Sequence, residues 1–392
     1  MAGRLLGVVV AGGGGASLDP LVSPGEAALT PFAGKYRFID FALATLGNSG
    51  IHDTYVVAPE TDTTVSAHVA WRGSGARPPH VVRSLSVAAS PGQRRIDALR
   101  TCCDLVAAGE RDAVVVLGAD HILQVDLRPL AVAHRALRAD VTLVAVPGAA
   151  IDGSDRTILR LGPRRRVLGA ARPAGAASAH TDLDVAWGGD FIIRVAALPA
   201  VLATLAAAAP PDDAGFVTTL AERFRVVAHD VLDGPVPGAS HGAYWHEPFS
   251  LEAYYDAQMN LCTPRPRLDL YNPAWPVRAR ATGLAPAKVV ADPAGRAGQA
   301  LNSLVCEGSM ICGGVVVSSV LGHAVLVESG AEVEDSVLLE GCRIGRGALV
   351  RRALVGPGAV VADGQMIGYG AAPSAPGRLA PSGLTVVVAP AR

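Results

Sequence analysis

Four consecutive glycines, Gly12, Gly13, Gly14 and Gly15, follow the apolar run Val8-Val9-Val10-Ala11. Backbone N–H groups without side chains beside them can approach a polyphosphate and wrap it, so a strand that ends in glycines is suited to hold a nucleotide. The spacing is neither GxGxxG nor GxxxxGK[ST], and a plain glycine turn stays open as a reading of the run alone. Cys102, Cys103, Cys262, Cys306, Cys312 and Cys342 form no CxxC pair and have no histidine at zinc spacing, which favours reduced thiols over disulfides or a metal. No Ser/His/Asp triad emerges.

The elements that must position such a loop are β-branched runs alternating with alanine-rich stretches over the first 235 residues: Leu5 to Val10, Asp53 to Ala58, Ala113 to Leu117, Val141 to Val146 and Phe191 to Arg194. Continuous apolar strands spaced by helices predict an α/β domain with a doubly wound, mostly parallel sheet covered on both faces. Ligands of such sheets lie beyond the carboxyl ends of the strands, so the loops after Val10 and Leu117 are where chemistry is expected. From 236 to 294 the chain is Pro- and aromatic-rich, with a helix predicted from Ser250 to Leu261, and reads as a connector packed on the first domain. From 295 to 392 apolar residues recur every sixth position, at Leu321, Val327, Val333 and Leu339 and, in a shifted phase, at Leu349, Val355, Val361 and Ile367. That period predicts a parallel β-helix.

The 392 residues, half of them apolar and 18% charged, are enough for two domains and too hydrophobic for disorder. A formal net charge of -1 gives no electrostatic footprint for nucleic acid or an anionic membrane. Met1 to Val10 reads as a strand rather than a signal peptide. Val195 to Pro210, the longest apolar stretch, carries Pro199 and falls short of the roughly 20 residues that span a bilayer. A cytoplasmic protein is expected.

Further segments carry a resemblance: Pro31-Phe32-Ala33-Gly34-Lys35-Tyr36-Arg37-Phe38-Ile39-Asp40-Phe41, Asn48-Ser49-Gly50-Ile51, Leu117-Gly118-Ala119-Asp120-His121-Ile122 and Tyr271-Asn272-Pro273-Ala274-Trp275-Pro276. With the hexad repeats, their order and spacing resemble the ADP-glucose pyrophosphorylase (glucose-1-phosphate adenylyltransferase) family over nearly the whole chain. The resemblance implies a Rossmann-like nucleotidyltransferase domain followed by a left-handed β-helix. It also implies a reaction joining a nucleoside triphosphate to a sugar-like 1-phosphate, with release of pyrophosphate and with Mg²⁺. Such catalysis consists of aligning two anions and neutralising their charge.

By the same resemblance Asp120 is a metal-binding carboxylate and Glu247, in Trp245-His246-Glu247-Pro248-Phe249, stands where the family has its second, an Asp. Lys35 and Arg37 join Asp120 as catalytic candidates. Ala11, the glycine run, Arg94, Arg95 and Asp97 are candidates for nucleotide binding, and Arg172, Trp187 and Gly189 for the sugar phosphate. His121 is expected to hydrogen-bond the loop rather than act as a base, and His68 and Trp71 to pack. The β-helix is expected to mediate a homodimer or homotetramer.

Several positions depart from the family pattern. Ser17 stands where the family has an Arg that contacts the triphosphate, and Ala27 where it has a Lys. Arg94-Arg95-Ile96-Asp97-Ala98 replaces Gly-Thr-Ala-Asp-Ala, Arg172 replaces a Lys, and Trp187 replaces a small polar residue. Two expectations of different class follow. One is an active nucleotidylyltransferase with a rebuilt pocket, taking ATP or GTP and glucose 1-phosphate or a pseudo-sugar; one branch of the family couples GTP to valienol 1-phosphate in antibiotic biosynthesis. The other is a catalytically inactive regulatory or scaffold subunit, since losing one transition-state donor costs about 10²- to 10³-fold. Retention of Asp120, Lys35 and Arg37 favours the enzyme.

Overall fold

The computed structural model describes residues 4–12, 18–22, 27–70, 79–85, 90–107, 110–148, 157–172, 185–232, 234–370, 377–380 and 382–389. Gly13, Gly14, Gly15, Ser17 and Trp71 lie outside them.

Ala113–Gly118, Leu5–Val10, Thr54–Pro59 and His80–Leu85 are parallel neighbours in that order. Val226–Asp230 runs parallel to Val141–Pro147. Val185–Arg194 joins the two groups, antiparallel to both Ala113–Gly118 and Val141–Pro147. The sheet is therefore mixed, and Phe191 to Arg194 is the end of a longer antiparallel strand rather than one more parallel one. The chain before it forms the antiparallel pair Ile158–Leu161 and Val167–Ala171. A parallel strand would have required a crossover connection instead.

Alternation along the central strands feeds two cores. Leu6, Val8, Val114 and Val116 pack with Ile96, Leu99, Leu198, Val201 and Phe216 of the helices Pro91–Val106, Leu198–Ala208 and Asp213–Arg223. Val9, Val115 and Leu117 pack on the other face with Ile39, Leu43 and Leu46 of Phe38–Asn48 and with Leu127 and Leu130 of Leu127–Ala136. Both faces are apolar because both are covered.

Three sheets of short parallel strands make up the β-helix, beginning at Lys288–Val290, Gln299–Leu301 and Leu304–Val305. Leu321, Leu338 and Val355 stack, as do Val327, Ile344 and Val361, and Val333, Val350 and Ile367. From Val315 to Ile367 one coil therefore takes 17 residues, two steps of six and one of five, while the three strands just before it pair with the next coil at a spacing of 16. The short step explains the phase shift in the sequence and corrects two positions. Leu338 and Val350 fill the interior, while Leu339 is buried outside it and Leu349 is only half-buried.

The connector helix Leu251–Asn260, capped by Ser250 Oγ on the Ala253 N–H at 3.0 Å, lies between the two parts. Its Leu251, Tyr254 and Tyr255 share a third core with Phe32, Phe38 and Phe41 on one side and Val320, Val337, Leu354 and Val386 on the other. Among the described residues no helix is long and apolar enough to cross a membrane.

Candidate active site

Register brings the two expected loops together. Val10 lies opposite Gly118, the Ala119 N–H donates to the Val10 carbonyl at 3.1 Å, and Ala11 N–H donates to Val57 at 2.8 Å. The start of the glycine run and the Asp120 loop therefore emerge side by side at the carboxyl edge of the sheet.

Behind Asp120 stands a chain of charged hydrogen bonds. Asp120 Oδ1 is 3.0 Å from His121 Nδ1, and His121 Nε2 is 2.9 Å from Asp190 Oδ2. The other Asp190 oxygen accepts the Gly118 N–H at 2.8 Å. Asp190 and His121 are buried, whereas the Asp120 side chain is 36% exposed and open to a ligand. Burial opposes a charge on His121, but the Asp190 charge and the hydrogen bonds to both carboxylates hold its pKa well above the usual value. Burial likewise opposes ionisation of Asp120, and the His121 hydrogen bond and charge, with Arg95, more than offset it. A Cβ on Gly118 would lie 2.6 Å from Asp120 Oδ1 and 3.0 Å from His121 Cε1, so this arrangement requires glycine there.

Glu247 arrives from a distant segment. Tyr244–His246 pairs antiparallel with Ile122–Gln124, with His246 opposite Ile122, and the Trp245 ring lies 5.4 Å from His121. Burial, and then the nearby negative charge of Asp120, push the Glu247 carboxyl well above the usual carboxylate range. Two carboxylates that repel one another across a partly open site suit a divalent cation, and Mg²⁺ is commonly held by one or two carboxylates plus substrate phosphates. Among the described residues no group of three or more His, Cys, Asp or Glu forms a metal cluster. The donor set thus fits a cation shared with a phosphorylated ligand rather than an all-protein cage.

Arg95 is locked in place. Its Nε and one terminal nitrogen donate to the Asp213 carboxylate at 2.7 and 2.9 Å, and the other donates to the Gly189 carbonyl at 3.0 Å. Gly189 has φ +86°, a left-handed conformation that favours glycine and turns its carbonyl to this partner. The guanidinium lies over Trp187, whose ring stacks on Phe216 at 5.6 Å and 5°. Arg94 is half-buried near Asp120 and Arg95, and burial lowers its pKa.

The remaining candidates are placed differently. Trp187 is 4% exposed and its indole N–H donates to the Asp190 carbonyl at 2.8 Å, so it supports the site from the core rather than lining its surface. Asp97 pairs within its own helix, with Gln93 and Arg100. Arg172 is partly exposed and lies 3.7 Å from Asp212. Lys35 and Arg37 are not gathered at Asp120: Lys35 pairs with Glu307 at 3.2 Å and Arg37 with Glu340, both on the β-helix. They sit at the domain junction because Ala33 N–H donates to Gln258 and Tyr254 donates to the Pro31 carbonyl, pinning their turn against the connector helix. Ala27 is a core residue, and His68 pairs with Asp40 at 2.9 Å.

Sequence reasoning passed over Asp190 and Asp213. Asp190 carried a signal, a lone acid inside an apolar strand. Asp213 follows Asp212, whose side chain caps the helix at the Gly215 N–H, and reads as part of that cap.

Comparison with known proteins adds two family matches: residues 6–152 match the family described as nucleotidyl transferase, and residues 285–387 the GlmU-like C-terminal hexapeptide family. Over more than nine-tenths of its length the chain is similar to proteins named glucose-1-phosphate adenylyltransferase. That of Deinococcus radiodurans is 31% identical, with 93% of both chains covered. That of Parafrankia sp. is 32% identical over 93% of this chain and 92% of the relative. That of Geobacter metallireducens is 30% identical over 94% and 93%.

Proposed function

The chain belongs to the glucose-1-phosphate adenylyltransferase family, and from that premise we propose how its site works and on what. It is a sugar-1-phosphate nucleotidyltransferase. A phosphate oxygen of the sugar 1-phosphate attacks the α-phosphorus of the nucleoside triphosphate, and the bond from that phosphorus to the β-phosphate oxygen breaks, releasing pyrophosphate.

The observation that carries the site assignment is the register of Val10 against Gly118, which brings Gly12, where the glycine run starts, and Asp120 to the same edge of the sheet. We assign Asp120 and Glu247 to Mg²⁺, which when bound neutralises charge on the triphosphate. The Gly12 backbone and its successors hold the triphosphate. Arg94 and Arg95 supply positive charge for the nucleotide, and Arg172 receives the acceptor phosphate. Lys35 and Arg37 are left out of the catalytic set because Glu307 and Glu340 hold them at the junction.

The reading places the acceptor as glucose 1-phosphate or a pseudo-sugar such as valienol 1-phosphate, and the base as adenine or guanine. It also places the protein in the cytoplasm, with domains divided near 235 and 294 and a homo-oligomer formed through the β-helix.

The test is pyrophosphate release with Mg²⁺ across five nucleoside triphosphates and both acceptors, with Asp120→Asn as control. Turnover that the control abolishes supports the reading and names the pair. Silence across the panel with intact nucleotide binding would favour a regulatory subunit.

A further inference from the structure

Asp190 has no exposed surface. A buried carboxylate is costly unless its oxygens are bonded, and both of these are, one by the Gly118 N–H and the other by His121. His121 is in turn held on three sides, by Asp190 at Nε2, by Asp120 at Nδ1 and by the Trp245 ring. Gly118 has no side chain, and any Cβ there would strike both the Asp120 carboxylate and the imidazole. Two strands remote in sequence, those of Asp190 and Trp245, therefore converge with the loop from Gly118 to Asp120 to fix one ring, and that ring is hydrogen-bonded to Asp120 Oδ1.

We propose that His121, oriented by Asp190, is a positioning residue that fixes the Asp120 carboxylate for the cation, an inference that rests on the assignment of Asp120 to Mg²⁺. With Oδ1 bonded to His121, the carboxylate cannot rotate freely and keeps its second oxygen for the metal. Each ring nitrogen faces a carboxylate, Nδ1 that of Asp120 and Nε2 that of Asp190, so the ring is held at both ends. Metal ligands are ordinarily oriented by such outer partners, and losing one typically costs about 10- to 100-fold in metal affinity or activity.

The experiment is Mn²⁺ binding by electron paramagnetic resonance, with Mn²⁺ as the probe in place of Mg²⁺, on wild type, His121→Gln, His121→Asn and Asp190→Asn. Thermal midpoints are recorded alongside to confirm folding. Asparagine places an amide donor near the Nδ1 position and so can keep the bond to Asp120, whereas glutamine reaches towards Asp190 and loses it. Expected are about 10- to 100-fold weaker Mn²⁺ binding in His121→Gln, substantial recovery in His121→Asn, and an intermediate loss in Asp190→Asn. Equal Mn²⁺ binding in all four proteins would overturn the proposal. So would equal weakening in both His121 variants that tracks a fall in thermal midpoint, because a purely structural role predicts that pattern. The titration needs no turnover, so a wild type silent on every substrate pair would sink the proposed function and still leave this inference decided by its own measurement.

Discussion

The Arg95 guanidinium lies 4.3 Å over the centre of the Trp187 ring. The indole supports the cation from below while Asp213 holds it from the side, so the positive charge is fixed before any phosphate arrives. Trp187→Ala removes a buried platform and is expected to cost about 3 to 5 kcal/mol of stability. Trp187→Phe keeps most of the packing and loses the N–H donor to Asp190, at about 1 kcal/mol. Urea unfolding of the two variants checks the order, and a phenylalanine variant as unstable as the alanine one would contradict it.

Gly118→Ala sets a methyl against Asp120 and His121 at once. The expected result is a loss of turnover near 10²-fold, roughly what a displacement of about 1 Å at a reacting centre costs. Steady-state kinetics set beside a thermal midpoint separates this from general destabilisation, since a wild-type kcat would show that the loop shifts harmlessly.

His134 is buried and bonded at Nδ1 to Thr142 Oγ1 at 2.8 Å, and among the described residues its Nε2 has no hydrogen-bond partner. Burial, and then the Arg194 charge, lower its pKa to about 4. Between that value and the ordinary 6.5 the unfolded chain binds a proton that the folded one refuses, so stability is present above pH 6.5 and falls as pH drops towards 4. The loss amounts to about 3 kcal/mol at most. In His134→Leu this contribution is absent, and urea midpoints at pH 7 and pH 5 should differ less than in wild type.

Arg37 is 19% exposed and meets Glu340 across the domain junction. A double-mutant cycle with Arg37→Ala and Glu340→Ala is expected to give a coupling of about 0.5 to 2 kcal/mol, while the more open pair Lys35 and Glu307 should give less. Couplings in the reverse order would contradict this reading of their exposure.

Much of this was legible because the decisive residues are local. Val8 to Gly12 and Leu117 to Asp120 each carry a strand and the loop at its end within a few positions, and the rule that ligands gather at carboxyl ends joins them. What supports Asp120 is not local. His121 reaches Asp190 across 69 positions and Arg95 reaches Asp213 across 118, so no short window contains either pair. The partners of Lys35 and Arg37 are hidden for the same reason: nothing near them in sequence announces Glu307 or Glu340. In the β-helix the six-residue period was visible but the five-residue step was not, because Leu338 and Leu339 are both apolar and only the stacking tells which one points inward.

That short step gives the β-helix a unit of length. From Val315 to Ile367 each strand lies against one 17 residues away, so this stretch can gain or lose a whole coil and every ladder on either side still closes. A single inserted or deleted residue within a strand would turn its inward side chains outward and leave valines facing water along one edge of the stack. Change in this part of the molecule is therefore expected to come in multiples of a coil, or in the turns between strands.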